Sequence, residues 1–107
     1  MSEALGRVTI SQEVLNTIVR LTTLGVEGVA RLEKRPGRRH SVEGFHVEVS
    51  DNQARVDVYV ILKPDTNLRD VGRNIQAEIA RSLQEMVGMP AAAVNVHIQD
   101  VEAPAGT

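Results

Sequence analysis

Apolar and polar positions alternate along two adjoining stretches in the middle of the chain. Phe45, Val47 and Val49 alternate with His46, Glu48 and Ser50. Ala54, Val56, Val58, Val60 and Leu62 alternate with Arg55, Asp57, Tyr59, Ile61 and Lys63. A period of two belongs to a strand, whose successive side chains point to opposite faces. Asp51-Asn52-Gln53 lies between the runs. Asp and Asn favour turns, because their short side chains bond nearby backbone and tolerate positive φ. The stretch predicts a hairpin with one buried and one largely polar face. Alternation returns at Val94, Val96 and Ile98 against Asn95, His97 and Gln99, which predicts a last strand. A shorter run from Gly6 to Ile10, with Val8 and Ile10 on one side, predicts an opening strand.

Two other stretches repeat at helical spacing. Val14, Leu15, Ile18, Val19 and Leu21 fall on one stripe, with Ser11 placed as N-cap, Glu13 in the first turn and Gly25 as a stop. Leu68, Val71, Ile75, Ile79, Leu83 and Val87 form a longer stripe. Thr66 or Asn67 caps it, Gly88 closes it and Pro90 prevents its continuation. Glu78–Arg81 and Arg81–Glu85 are spaced for ion pairs on its wet face. Val29 and Ala30 open a short strand or turn before Pro36-Gly37. The order is strand, helix, short strand, hairpin, helix, strand. This is an α+β single small domain, with two helices packed on one face of a mixed sheet of about four to five strands. The domain is expected over residues 1–102, with 103–107 a frayed tail.

Composition narrows the chemistry. The 107 residues include one Phe, one Tyr, no Trp and no Cys. Aliphatic side chains must therefore fill the core, and disulfides, thiolate metal sites and Cys nucleophiles are excluded. No run approaches the roughly 20 apolar residues that span a bilayer. The opening MSEALGRV has neither the basic nor the apolar region of a signal peptide. Net charge is −2, yet residues 31–40 carry +4 through Arg31, Lys34, Arg35, Arg38 and Arg39 against Glu33. The remainder is acidic, which argues against a wholly basic nucleic-acid binder.

The basic patch Arg31, Lys34, Arg35, Arg38 and Arg39 is a candidate for an anionic partner, with a solvated loop as the plainer reading. Gly25-Val26-Glu27-Gly28 has the G-x-x-G spacing of a KH clamp, so the alternative function is a KH-like nucleic-acid binder using loop 34–40 and Gly25–Gly28. Glu27 between the glycines repels phosphate, and no aromatic platform is available to stack bases. His46, Glu48, Asp57, Tyr59, His97 and Gln99 share the polar sheet face. A His pair with a carboxylate is a metal-binding chemistry, but no close-spaced ligand pair such as H-x-x-x-H accompanies it. There is no P-loop, no G-x-G-x-x-G and no G-x-S-x-G, so no cofactor, small-molecule substrate or nucleophile is indicated. Two helices cover only one face of a sheet. The other face, or an open edge strand, is left for a protein partner or for self-association.

VDVYVIL at 56–62, DVGRNIQAEIARSLQEMVGM at 70–89 and VNVHIQDVE at 94–102 resemble the alkaline shock protein family, the envelope stress response family of Gram-positive bacteria. GRVTISQEVLNTIVRLTTLGVEGVARL at 6–32 resembles that family's start, including VEGVA. The resemblance implies a small, non-enzymatic cytoplasmic protein, some relatives lying under the membrane through an anchored partner. It brings no catalytic residues. Relatives often carry a longer, Gly-rich insert where this chain has EKRPGRRHSVEG.

Overall fold

The computed structural model describes residues 5–34 and 43–103. Arg35, Arg38, Arg39 and His40, and residues 104–107 of the expected tail, lie outside the described residues. The elements are helix α1 (Gln12–Gly25), strands β1 (Val29–Leu32), β2 (Phe45–Ser50) and β3 (Gln53–Leu62), helix α2 (Leu68–Val87) and strand β4 (Ala91–Val101).

β3 is the central strand. β2 pairs antiparallel with its first part, from Ser50↔Gln53 to Phe45↔Val58. β1 pairs antiparallel with its last part, from Leu32↔Val60 to Val29↔Leu62. β4 runs parallel along the opposite side, from Ala54↔Ala91 to Leu62↔Val101. The β2–β3 turn places Asp51 at φ 52° and Asn52 at φ 59°. Two positive φ values in a two-residue connection match the twist of a hairpin, and Asp and Asn tolerate them.

The helices begin and end as their caps dictate. Ser11 Oγ accepts the Val14 N–H at 3.3 Å, and Asn67 Oδ1 accepts the Asp70 N–H at 3.0 Å. Gly88, left-handed at φ 66°, ends α2 and donates its N–H to the Gln84 carbonyl. Leu15, Ile18 and Val19 of α1 and Val71, Ile75, Ile79 and Leu83 of α2 are buried against Val47, Val56, Val58, Val60 and Leu62. Both helices thus lie on one sheet face. Thr22 Oγ1 joins them by a 3.1 Å hydrogen bond to Ser82 Oγ. Thr23, fully buried, donates its hydroxyl to the Val19 carbonyl at 2.7 Å, so no polar group is stranded there.

Three expectations are corrected. Residues 6–10 form no strand, and Val8 is 90% exposed. Their alternation is real, but no strand among the described residues completes the ladder. Val14 and Leu21 stand outside the core at 44% and 57% exposure, because only three residues of α1 point squarely at the sheet besides Thr23. Ile61 is turned away from the helices yet is 2% exposed. It lies opposite Arg31 on β1 and Asp100 on β4.

Burial differs sharply between the two faces of the helices. Ile79→Ala removes a fully buried side chain from the helix–sheet seam and should cost about 2–5 kcal/mol. Leu21→Ala should stay within about 0.5 kcal/mol, as an exposed substitution does. Urea denaturation of both variants checks the contrast, and equal midpoints would contradict the packing described.

Candidate functional site

The residues of β3 that face away from the helices are Arg55, Asp57, Tyr59 and Ile61. Register brings His46 of β2 and Asn95 of β4 to either side of Asp57, and His97 of β4 beside Tyr59. The expected polar face is therefore assembled from three strands. Its geometry is specific. His97 Nε2 lies 3.0 Å from Asp57 Oδ1, a diagonal contact between parallel neighbours. The His97 and Tyr59 rings stack with centroids 4.6 Å apart and planes 13° from parallel. Imidazole is thus fixed in both position and tilt, by a carboxylate at its edge and a phenol ring on its face.

His46 belongs to a second, looser pair. Its Nε2 is 3.8 Å from Glu48 Oε2, within reach for an ion pair once the ring is protonated but too long for a hydrogen bond. His46 and Glu48 are two residues apart on one strand, so they share a face. Gln99 takes a different place. Ile98 pairs with Val60 and Asp100 with Ile61, so Gln99 is the extra residue of a bulge. The two imidazoles are each matched to their own carboxylate rather than aimed at one point. Among the described residues no three His, Asp or Glu side chains gather closely enough to hold a metal ion.

The basic patch is only partly within the described residues. Arg31 Nη1 is 2.9 Å from Glu102 Oε2, so this cation reaches from β1 to the end of β4 and is already paired. Such an exposed pair is worth about 0–1 kcal/mol. Lys34 is exposed. On the helical side, Leu21, Thr22, Gly25, Glu27, Asn74 and Glu78 line an open groove of about 440 Å³. The groove is not legible in the sequence, because its two walls are 47 or more residues apart and only the fold brings them together. Glu78 within it bonds Arg81, and that bond, then the charges of Glu78 and Glu85, raises the arginine pKa.

The Gly25–Gly28 spacing has a packing cause. Gly28 sits at φ +101°, and a Cβ there would meet Val71 Cγ2 at 2.7 Å. The turn after α1 can press against α2 only because this position has no side chain. Gly25 has open space around it. Of the two glycines, only Gly28 is required by packing.

A model of the alkaline shock protein 23 family, described as of cell envelope-related function, matches residues 1–103. The chain belongs to this family. An uncharacterized protein of Streptococcus pyogenes is 28% identical over 95% of this chain and 84% of its own length. The uncharacterized protein YqhY of Bacillus subtilis is 26% identical over 92% of this chain and 78% of its own. Bacillus subtilis YloU is 23% identical over 90% and 88%. Among solved structures, a MamM CTD variant superposes with a TM-score of 0.57 at 10% identity, covering 92% of this chain and 91% of that one. At that identity the likeness concerns the fold alone. Residues 26–30, VEGVA, have a structural role in this chain. They hold the Gly28 turn and the first strand residues, with Val26 and Val29 both buried.

The family turn can be tested by its two glycines. Gly28→Ala should destabilise by about 1–3 kcal/mol, the range for a strained backbone position. Gly25→Ala should be neutral or stabilising by up to about 1 kcal/mol, since Ala is the better helix former. Thermal melts of the pair check this, and a tolerated Gly28→Ala would reopen the clamp reading.

Proposed function

We propose that this chain is a non-catalytic interaction protein of the cell envelope, working in the cytoplasm close to the membrane. It acts by self-association or by docking to a membrane-anchored partner. The family's cell envelope-related function supports the setting. No helix among the described residues is long and apolar enough to cross a membrane, which is consistent with an anchored partner supplying the attachment.

One observation carries the reading. The helices occupy a single sheet face, and the opposite face presents Tyr59 stacked on His97, with Asp57 holding the ring. His97 is 40% and Asp57 31% exposed at the side chain, so the arrangement is ordered while still open to solvent. A rigid aromatic and imidazole surface gives a partner large contact area at little cost in side-chain entropy. The nucleic-acid alternative has no comparable support, because Gly28 is explained by packing on Val71 and Arg31 is paired with Glu102.

A Tyr59→Ala/His97→Ala double variant should melt within a few degrees of the parent, since both residues lie off the helix-side core. It should lose co-sedimentation with membranes from the source cells, or lose self-association, whichever the parent shows. A parent that neither sediments with membranes nor self-associates would end the proposal. So would a variant that does both as well as the parent.

A further inference from the structure

Residues 6–10 have the alternating pattern of a strand without being one. Leu5 is 92% exposed, Val8 90% and Ile10 44%. No hydrogen bond ties the backbone of this arm to another described residue. Of these apolar side chains, Val8 and Ile10 stand at a strand period, Val8 almost wholly in water and Ile10 partly so, as in a strand whose ladder partner is elsewhere.

The sheet offers a matching edge. β4 has 11 residues and pairs only with β3. The N–H and C=O of Ala54 and Leu62 turn toward β4, as the bonds from Ala54 N–H to the Pro90 carbonyl and from Glu102 N–H to the Leu62 carbonyl show. In a parallel ladder this parity sends the main-chain groups of Val94, Val96 and Ile98 outward, off the sheet. Gln76 Nε2 covers the Val94 carbonyl at 3.1 Å. Val96 and Ile98 have no such cover. Protected edges use Lys, Pro, a short strand, a bulge or a covering element, and the bulge at Gln99 ends the regular stretch of this edge after Ile98. Residues 91–101, AAAVNVHIQDV, contain no Lys, Arg or Pro.

The arm does not reach this edge in its own chain. It enters α1 beside β2, where Gln12 Nε2 donates to the Val47 carbonyl at 3.1 Å. β2 and β4 lie on opposite sides of β3. The β2 edge next to the arm has its Val47 carbonyl covered by the chain's own glutamine, and the longer β4 edge is across the sheet. Charge agrees with a pairing there: the arm carries Arg7, and β4 ends beside Asp100.

We infer that residues 6–10 add as a strand to the Val96–Ile98 edge of β4 in a second copy of this chain. Each copy gives one arm and accepts one. Reciprocal exchange closes a dimer, and one-way exchange makes a longer chain of subunits. Main-chain bonds supply affinity, and the alternating Val8 and Ile10 supply register. The inference rests on the self-association arm of the function proposed above and names its surface.

The test is Val8→Pro in the full chain. Proline removes a ladder donor from an exposed position outside every element, so the fold should keep its melting temperature. Light scattering over a concentration series should show the parent as a dimer or larger species and the variant as a monomer. Amide exchange at Val96 and Ile98 should be slow in the associated parent and fast in the variant. A parent that is monomeric throughout overturns the inference. So does association that Val8→Pro leaves intact, or Val96 and Ile98 amides that exchange fast in the associated form. Slow exchange of those amides in a monomer, lost in Val8→Pro, would show the arm folding onto its own chain and also overturns it. Membrane co-sedimentation of the variant reads the docking function separately, so either idea can fail without the other.

Discussion

Every strand described in this sheet pairs with β3, and none pairs with any other. That single constraint organises the molecule. β3 alternates Ala54, Val56, Val58, Val60 and Leu62 toward the helices with Arg55, Asp57 and Tyr59 toward the opposite side. The five apolar members are all fully buried. A one-residue slip would bury Asp57 and Arg55 and expose the valines, at a cost of several kcal/mol in transfer alone. Register is therefore strongly specified, and it is inherited by β2, β1 and β4. The polar face exists because the core face is so unambiguous.

The fold was largely legible because its periodicities are long and clean. The hairpin, both helices with their caps and the last strand are each set by local rules that agree with the core. The misreadings share one cause. Alternation at Gly6 to Ile10 reports what a segment is suited to pair as, not whether the chain provides a neighbour. Val14 and Leu21 satisfy a helical stripe, but α1 touches the sheet over a narrower arc than that stripe covers. The bulge at Gln99 was invisible for the same reason, since a bulge is a property of two strands and the sequence shows one.

The candidate site was legible as a set and not as a geometry. Period two places His46, Asp57, Tyr59 and His97 on one face. Only register shows that His97 meets Asp57 on the diagonal and stacks on Tyr59, while His46 turns to Glu48. That division matters chemically. Two imidazoles, each with its own carboxylate, make two anchored rings rather than one convergent ligand set. Gly28 shows the converse error. A short motif suggested phosphate, and the space it leaves is filled by Val71.

The sheet's face and its edge supply different kinds of recognition. A face offers side chains, and its selectivity follows from the shape and charge of Tyr59, His97 and Asp57. An edge offers the main chain, which any extended segment can match, so selectivity there must come from register and access. Gln12 and Gln76 each cap one outward carbonyl, Val47 on β2 and Val94 on β4. Both are helix side chains reaching over a strand edge, so edge access depends on where each helix places a glutamine. α2 flanks β4 as far as Ile98, whose Cδ1 lies 3.9 Å from where a Cβ on Gly72 would stand, but among the described residues its side chains bond only the Val94 carbonyl of that edge. In the proposed pairing the partner strand lies beside His97, where the ladder and the aromatic face adjoin. Anything that pairs with the edge there also approaches the patch, so the two surfaces are coupled by position although they use different chemistry.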